Sequence, residues 1–332
     1  MIHAHAAREA RAPLTPHTIE TGPLRPFEVE LAVTHCGICH SDIHLIDDDW
    51  HISRYPLVPG HEVVGTVQAC GPAVTDVRVG QRVGVGWQSG SCLACEWCLR
   101  GDEMCCAQEE ATCVGRPGGF ADRLRVDSRF AHPLPDALAS EHAAPLLCAG
   151  ITVYAPLAAG VQPGMRVGVV GIGGLGHLAL QFARAMGAEV TAFSTTPGKA
   201  AEAERFGAHH FVVSSDARQM EQAKGTLDYV LSTVTAPLDW PVWLDVLRPR
   251  GTLGIVGASP GTVSVSPMAL IVGQKAIRGS AIGGRAAMRA MLDFAARTGV
   301  RPQVEVVPLR DVNAALAKVR ANQARYRIVL AG

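Results

Sequence analysis

Runs of basic residues are absent from this sequence, and so is any excess of charge of one sign. Thirty Lys and Arg residues balance thirty Asp and Glu residues, and charged residues make up only 18% of the chain. A protein that binds nucleic acid or an anionic membrane through electrostatics needs a basic face, and this composition supplies none. We therefore expect no nucleic acid partner and no membrane partner.

Long hydrophobic runs are missing as well. No stretch of about eighteen uninterrupted apolar residues occurs. The first segment, MIHAHAAREARAPLTPHTIE, contains no apolar core of a secretion signal. The sequence also has no internal repeat and no low-complexity segment. These absences predict a cytoplasmic protein without a spanning helix.

Aliphatic residues, glycine and cysteine are abundant instead. Hydrophobic residues make up 48% of the 332 residues, and this length predicts about two domains. The N-terminal part has short runs of alternating Val and polar residues separated by Gly and Pro, which predict a β-rich domain. Further along, apolar strands alternate with helices of roughly 8–15 residues, a pattern typical of βαβ crossovers and a parallel sheet.

The ten cysteines all lie before residue 150. Disulfide frameworks belong to small secreted domains, so clustered cysteines in a reducing compartment indicate metal binding. In CLACEWCLRGDEMCC, the residues Cys92, Cys95, Cys98 and Cys106 have the spacing C-x2-C-x2-C-x7-C, which fits a closed four-thiolate structural zinc site. On spacing alone Cys105 could replace Cys106. A redox dithiol and an iron–sulfur cluster are the alternative interpretations.

A glycine pattern, G-x-G-x-x-G, follows the apolar strand VGVV and opens a helix. Gly171 permits a tight turn, Gly173 lets the backbone approach a pyrophosphate, and Gly176 lets the helix pack close to the strand. Together with Gly174 and Leu175, these glycines predict a dinucleotide-binding turn. The alternative is a tight strand-to-helix connection that binds nothing.

The end of the second strand indicates which dinucleotide is bound. An NAD site needs an acidic residue there, about twenty residues after the glycines. The strand ends in VTAFSTTPGKA, which contains no Asp or Glu. Hydroxyl groups and a cation suit the additional phosphate of NADP, and the residues that provide them are Ser194, Thr195, Thr196 and Lys199. The alternative is an ordinary polar turn with a solvated lysine.

A second group of metal-binding residue types is spread along the chain, in HCGICHSDIH, PGHE and LLCAG. One or two thiolates and an imidazole, with one position left open, are typical ligands of a catalytic zinc. Taken singly, Cys148 is a small core residue and His61 is a hydrogen-bonded turn histidine. The nucleotide-binding pattern downstream favours the metal site.

The stretches CGICHSDIH, YPLVPGHEVVGTV, CLACEWC, GGFAD and GIGGLGHLALQFARAMGAEV resemble the zinc-dependent medium-chain alcohol dehydrogenases. The resemblance is greatest to the cinnamyl-alcohol-dehydrogenase-like branch of NADP-dependent aldehyde reductases, and it runs nearly from end to end. It implies an α/β fold, with a Rossmann doubly wound parallel sheet plus a β-rich GroES-like catalytic domain. The catalytic domain, binding both zinc ions, is expected in residues 1–147 and 283–332, and the NADP-binding domain in residues 148–282.

The resemblance also implies a role for each residue of the scattered group. Cys39, His61 and Cys148 would bind the catalytic zinc, and Glu62 would be an exchanging ligand or a neighbouring anion. Asp42 would hydrogen-bond His61 and fix its tautomer.

Three further residues gain roles from the same resemblance. Ser41 would contact the substrate oxygen and pass its proton on, and His44 would relay that proton to solvent. His40 would lie against the cofactor pyrophosphate. Trp50 would form an apolar wall of the substrate pocket.

The function implied is the interconversion of primary alcohols and aldehydes, with aldehyde reduction as the expected direction. The expected cofactors are two zinc ions per chain and NADP(H), the substrate is a small alcohol or aldehyde, and the assembly is a homodimer. Two other functions stay open: a zinc-free quinone or enone reductase of the same superfamily, and a non-enzymatic, zinc-stabilised nucleotide-binding sensor.

Overall fold

The computed structural model describes residues 1–259 and 261–332, which divide into two compact units. The first unit comprises Met1–Ile151 and Gly283–Gly332, and the second comprises Thr152–Ile282.

The first boundary follows Ile151, whereas the sequence placed it after residue 147. The reason is that the π-helical turn Leu146–Gly150 is fully buried and packs on residues of the first unit. Leu147, for example, fills the space left by the missing side chain of Gly84. Cys148 therefore belongs to the first unit.

Strands form from the short alternating and apolar runs. In chain order they are β1 (Ile2–Ala6), β2 (Thr15–Ile19), β3 (Glu28–Ile38), β4 (Val63–Cys70), β5 (Arg82–Val85), β6 (Gln88–Gly90), β7 (Glu110–Ala111), β8 (Arg123–Asp127), β9 (His132–Pro133), β10 (Arg166–Val170), β11 (Glu189–Ser194), β12 (His210–Val213), β13 (Leu227–Ser232), β14 (Leu247–Ile255), β15 (Ala276–Gly279), β16 (Val304–Pro308) and β17 (Arg327–Ala331).

Helices connect many of these strands. In chain order they are α1 (His40–Asp47), α2 (Glu96–Arg100), α3 (Ser140–Pro145), α4 (Ile151–Gly160), α5 (Gly176–Ala185), α6 (Ala200–Arg205), α7 (Ala217–Ala223), α8 (Trp240–Asp245), α9 (Pro267–Ile271), α10 (Arg285–Thr298) and α11 (Val312–Arg320). Short 3-10 turns occur at Glu103–Cys105, Ser128–Phe130, Pro197–Lys199 and Leu309–Asp311.

The second unit is built on one parallel sheet in the order β12-β11-β10-β13-β14-β15. Numbered from β10, this is the 3-2-1-4-5-6 order of a doubly wound dinucleotide-binding sheet, which confirms the predicted Rossmann fold. The order reverses between β10 and β13, and ligands of such sheets bind outside the carboxyl ends of the strands at this point. The glycine turn begins there, directly after Val170.

The first unit is built on a mainly antiparallel sheet in the order β16-β17-β3-β4-β5-β9, with β8 also paired to β3. This sheet confirms the predicted β-rich domain. Because β3 and β4 are antiparallel, the end of β3 and the start of β4 meet at one edge of the sheet. Cys39 follows β3 and His61 precedes β4, so the strand pairing alone brings these two residues close together.

One helical segment, Ser140–Gly160, is long and apolar enough to cross a membrane by length and composition. This segment is not an uninterrupted apolar run, because Glu141 and His142 stand near its start and Thr152 stands in its middle. About two thirds of its most apolar window, 67%, is buried inside the protein, as in the core helix of a globular fold. A cytoplasmic location therefore stays a prediction.

Candidate active site and metal centres

The four thiols predicted to form a closed site lie together in one lobe of the first unit. The ligand atoms of Cys92, Cys95, Cys98 and Cys106 all lie within 4.8 Å of one another. Measured sulfur–sulfur distances are 3.8 Å for Cys92–Cys98, 3.6 Å for Cys95–Cys98 and 3.5 Å for Cys92–Cys106. A tetrahedral zinc site with Zn–S distances of about 2.3 Å separates its sulfurs by about 3.8 Å. The donor set therefore fits zinc in both chemistry and size.

The local backbone decides which of the two adjacent cysteines joins this cluster. Cys105 ends a 3-10 turn and its side chain is exposed, while Cys106 is buried with the other thiols. Backbone N–H groups point at the sulfurs, as in Cys95 N–H to Cys92 Sγ at 3.3 Å. Hydrogen bonds from the N–H groups of Ala94 and Cys95 lower the pKa of Cys92 to about 6, which favours its thiolate.

The scattered group also converges. Ligand atoms of Cys39, His61, Glu62 and Cys148 lie within 4.8 Å of one another, from three separate parts of the chain. His61 Nε2 lies 3.3 Å from Cys148 Sγ, which lies 3.9 Å from Cys39 Sγ. Zn–N and Zn–S bonds of about 2.0 and 2.3 Å at a tetrahedral angle require separations of about 3.5 and 3.8 Å. These residues therefore also fit a zinc ion.

The Asp42 side chain holds two members of this cluster in place through hydrogen bonds. Its fully buried carboxylate accepts hydrogen bonds from the backbone N–H of Cys39 at 2.8 Å, from that of Gly60 at 2.9 Å and from His61 Nδ1 at 3.1 Å. The bond to Cys39 closes a capping box at the start of α1. Because a carboxylate only accepts, His61 carries its proton on Nδ1 and turns Nε2 toward Cys148.

The thiols and the imidazole of the cluster shift one another's pKa values. The hydrogen bond with Cys148 lowers the pKa of Cys39 well below its usual range, and the same contact raises the pKa of Cys148. Burial alone would lower the pKa of His61, but the neighbouring Asp42 carboxylate and Cys148 raise it well above the usual value. A cation bound among these groups would relieve the crowding of negative charge.

Sequence reasoning missed Arg327, which forms an ion pair with Glu62. Both side chains are buried, and Arg327 Nη2 also donates to the carbonyl of Ile38 at 3.0 Å. Burial raises the pKa of Glu62 to about 7 despite the guanidinium beside it. Among the residues that the structure describes, none forms a hydrogen bond with Glu62 Oε2, which leaves one carboxylate oxygen unused within the cluster. The signal available in the sequence was an arginine directly before the apolar run IVL near the end of the chain.

Ser41 and His44 lie on α1, one turn apart and hence on one face of the helix. The backbone N–H of Ser41 donates to Cys39 Sγ at 3.5 Å, and Ser41 Oγ lies 3.6 Å from the same sulfur, so the hydroxyl lies directly beside the cluster. His44 is half-buried and its Nδ1 lies 2.8 Å from Asp49 Oδ2. Sequence reasoning missed Asp49. Its position within the acidic run DDD concealed its specific contact with the histidine.

Aromatic rings line the neighbourhood of His61. The Trp87 ring stands edge-on to His61 at 5.1 Å, and the Trp50 ring stands edge-on to Trp87 at 6.1 Å. Trp50 also lies 5.2 Å from the ring of His44 and is partly exposed. Trp50 was predicted from the sequence. Trp87 was missed, since nothing in the short segment around it marks it as a site residue.

The glycine turn of the second unit has the backbone that its three glycines require. Gly171 has a φ of +89°, in the left-handed region that favours glycine. A Cβ at Gly176 would lie 1.9 Å from the Gly171 carbonyl oxygen, so only glycine allows this close approach. A Cβ at Gly173 would meet nothing within 4 Å, which leaves open space for a ligand. Gly174 and Leu175 complete the turn before α5 begins.

The end of β11 lies beside this turn. Ser194 is buried, its Oγ accepting from the backbone N–H of Thr196 at 3.1 Å, whereas Thr195 and Thr196 are exposed. The ammonium group of Lys199 reaches back and donates to the Ile172 carbonyl at 2.6 Å. The predicted coenzyme residues therefore gather at one place. His40, the remaining predicted coenzyme residue, begins α1 in the first unit and is exposed.

Comparison with known proteins follows the same division of the chain. The family profile described as "Alcohol dehydrogenase GroES-like domain" matches residues 25–136, and the profile described as "Zinc-binding dehydrogenase" matches residues 174–297. The chain is 44% identical to the Aldehyde reductase AdhA of Synechocystis sp. over 331 residues, which cover 99% of this chain and 98% of that protein.

Solved structures of similar proteins match this chain over nearly its whole length. The cinnamyl alcohol dehydrogenase SbCAD4 from Sorghum bicolor superposes with a TM-score of 0.95 at 42% identity, covering 99% of this chain and 97% of that chain. The CAD from Helicobacter pylori, solved in complex with NADP(H), has a TM-score of 0.91 at 31% identity, with the same coverage of 99% and 97%. The first unit is thereby confirmed as GroES-like.

Proposed function

This chain belongs to the zinc-type medium-chain alcohol dehydrogenases, in their cinnamyl-alcohol-dehydrogenase-like branch, and we propose that it reduces aldehydes to primary alcohols with NADPH and zinc. Membership of this family makes it an oxidoreductase of alcohols or aldehydes. The direction, the coenzyme and the metal content are the proposed parts. The proposal depends mainly on one observation, the convergence of two thiols, an imidazole and a carboxylate in one buried cluster.

The cluster suits a catalytic rather than a closed metal site. Cys39, His61 and Cys148 would hold zinc, and Glu62 is tied to Arg327 by one oxygen, which leaves a position for substrate. When bound, zinc supplies a Lewis acid for the substrate oxygen and the nicotinamide supplies the hydride. The Glu62 carboxylate already has a cationic partner in the Arg327 guanidinium. It would therefore not permanently occupy the position left for substrate.

Ser41 and His44 would move the proton that the reaction needs. The Ser41 hydroxyl, next to Cys39, is placed to hydrogen-bond a substrate oxygen and to give up a proton to it. His44 is half-exposed and bonded to Asp49, so it connects this face of α1 with solvent. The Asp49 carboxylate would hold the His44 ring in place for this relay.

The aromatic rings around His61 suggest the kind of substrate. Trp87 and Trp50 would form an apolar wall beside the cluster, exclude water and pack against a flat or aliphatic aldehyde. This wall supports a small, mainly apolar aldehyde and disfavours a highly charged substrate.

NADP(H) is the proposed coenzyme. The end of β11 offers hydroxyl groups and the Lys199 cation where an NAD site would carry a carboxylate. The relative from Helicobacter pylori was solved with NADP(H), which supports the same choice here. His40 would contribute to holding the pyrophosphate.

The four-thiol lobe would hold a second zinc ion with a structural role, because all four positions of a tetrahedron are filled by Cys92, Cys95, Cys98 and Cys106. Of the other functions considered, a zinc-free reductase has no use for the cluster at Cys39. A nucleotide sensor has no use for Ser41 and His44.

A homodimer is the proposed assembly. β15 is the last strand of the parallel sheet, and Met268, Ile271 and Val272 nearby are 58%, 65% and 77% exposed. An edge strand next to exposed apolar side chains is suited to pairing with another chain. A second copy would bury both features.

The test compares wild type with Cys39→Ser. We expect NADPH oxidation with aromatic and aliphatic aldehydes to fall by more than about 100-fold, since even indirect partners of zinc ligands commonly contribute 10- to 100-fold. Bound zinc, measured by mass spectrometry, should fall from two to one per chain, and NADPH affinity, measured by fluorescence, should change by less than about 2-fold.

Cys70→Ser is the matched control, because Cys70 lies at the end of β4 and outside both thiol clusters. It should keep both zinc ions and full turnover. Wild-type turnover in Cys39→Ser would remove Cys39 from the site. A wild-type chain that binds NADPH but oxidises it with no aldehyde would favour the sensor instead.

A further inference from the structure

Thr233, which follows β13, attaches the start of the glycine turn to its neighbouring strand. Its backbone N–H donates to the Val170 carbonyl at 3.0 Å, and its hydroxyl donates to the same oxygen at 2.8 Å. The hydroxyl also lies 3.3 Å from the Gly171 carbonyl oxygen. Thr233 is buried. Its backbone bond therefore keeps the strand ends together, and the hydroxyl adds a separate donor to the turn.

His177 makes an equivalent contact at the other end of the turn. Its ring Nδ1 lies 2.9 Å from the Gly173 carbonyl oxygen, which also receives the backbone N–H of His177 at 3.1 Å. Because the oxygen can only accept, Nδ1 carries the proton. The ring is fully buried and stands edge-on to Phe206 at 5.4 Å. Lys199 covers the intervening carbonyl, that of Ile172.

Three side chains therefore contact the carbonyl oxygens of four consecutive residues, 170–173, with the single hydroxyl hydrogen of Thr233 shared between the first two. In a planar trans peptide the C=O of one residue and the N–H of the next point in opposite directions. Donors on these carbonyls consequently direct the N–H groups of Ile172, Gly173 and Gly174 to the opposite side. Across residues 1–259 and 261–332, these three N–H groups donate no hydrogen bond within the protein. They are the groups that a phosphate would accept from.

We propose that Thr233 and His177 are positioning residues for the dinucleotide pyrophosphate, holding the carbonyls of the glycine turn away from the ligand and its N–H groups toward it. This role rests on the proposed coenzyme function of the second unit. A free turn could rotate a peptide and present a carbonyl oxygen to the phosphate, which would repel it. Fixing the peptides beforehand removes that loss from the binding free energy.

Two pairs of variants test this role in the full chain. Thr233→Val keeps the shape of the side chain but removes its donor, and Thr233→Ser restores a hydroxyl. His177→Phe removes the ring donor, and His177→Asn places an amide N–H close to the position of Nδ1. All four leave the backbone bonds to Val170 and Gly173 available, so the fold of the unit should be retained, which thermal unfolding checks.

The measurement is the dissociation constant of each variant for ligands with and without a pyrophosphate. Thr233→Val and His177→Phe should weaken NADPH, NADH and ADP-ribose alike, by about 5- to 10-fold, the effect of one lost hydrogen bond. Binding of 2′-AMP, which has no pyrophosphate, should change by less than about 2-fold. Thr233→Ser and His177→Asn should bind all four ligands nearly as wild type does.

Other outcomes separate this inference from the function on which it rests. Equal weakening of 2′-AMP and of the dinucleotides would show a general structural role and overturn the inference. Unchanged binding of every ligand by Thr233→Val and His177→Phe would do the same, with the coenzyme function intact. A wild-type chain that binds neither NADPH nor NADH would overturn the coenzyme function itself.

Discussion

The ammonium group of Lys199 would have two roles in the proposed coenzyme site. It donates to the Ile172 carbonyl in the glycine turn, and it lies beside the polar end of β11, where the adenosine ribose of a dinucleotide would be held. A lysine is a flexible point charge with three donors, so it can keep the first contact and still pair with a phosphate. Its contribution to coenzyme choice is therefore measurable as a ratio between two coenzymes.

Lys199→Ala should raise the dissociation constant for NADPH by about 10- to 100-fold, the expected loss of a charge-assisted hydrogen bond to phosphate. NADH should weaken less, by about 5- to 10-fold, because only the contact with the turn is lost. Fluorescence titration with both coenzymes measures the ratio. Lys224→Ala, at an exposed lysine paired with Glu221 in the same unit, is the control and should change neither value. Equal losses for both coenzymes would contradict the assignment of the ribose phosphate to Lys199.

At the scale of elements, the thiol lobe, residues 92–106, is attached to the start of helix α10. The buried Glu103 carboxylate, within the lobe, accepts from Arg285 Nε at 2.7 Å and from the Arg285 backbone N–H at 3.1 Å. Arg285 begins α10, so a carboxylate also meets the positive end of a helix. A Cβ at Gly284 would lie 1.9 Å from the Gly101 carbonyl oxygen, which explains the glycine at this contact. Losing the shape of the lobe should therefore loosen α10 as well.

Cys106→Ser should reduce bound zinc from two to one per chain and lower the unfolding temperature by more than about 5 °C, because a structural metal site contributes directly to folding. Calorimetry and metal analysis measure both effects. The adjacent Cys105→Ser is a closely matched control, since its side chain is exposed, and it should change neither. The reverse result, with zinc lost only in Cys105→Ser, would mean that Cys105 is the ligand.

At the scale of the whole molecule, the exposed edge of the parallel sheet is a feature that a single chain leaves without a partner. Among the described strands, β15 pairs with β14 alone. The exposed apolar residues near it belong to α9 and the turn that follows. In the proposed homodimer these side chains would be buried together with the strand edge.

Ile271→Asp should dissociate the dimer, because a carboxylate buried in an apolar interface without a partner is strongly unfavourable. Light scattering should then report a mass of 35.0 kDa in place of twice that value. Val306→Asp is the control, since Val306 is an exposed apolar residue of the first unit, 49% exposed, and lies outside the proposed interface. A wild-type chain that is already monomeric, or an Ile271→Asp variant that stays dimeric, would reject this interface.

Local sequence patterns by themselves predicted several structural features of this protein. The G-x-G-x-x-G turn, the alternation of strands and helices, and the closely spaced cysteines each act within a few residues, so their geometry follows from spacing and backbone conformation. The predicted fold class and the family resemblance are confirmed by the sheet topology, the family profiles and the similar proteins. The positions of Cys92, Cys95 and Cys98 were readable in the same way, because short loops leave a chain few ways to arrange three thiols.

Only the tertiary structure decided the contacts between distant segments. Arg327 reaches Glu62 because β17 pairs with β3, and Trp87 meets His61 because separate strands of one sheet end nearby. Thr233 joins the glycine turn because β13 lies beside β10. Burial and hydrogen bonding depend on which segments become neighbours, and no pattern within a single segment contains that information. Which of Cys105 and Cys106 lies in the thiol cluster depends in the same way on which of the two side chains is buried with the other thiols.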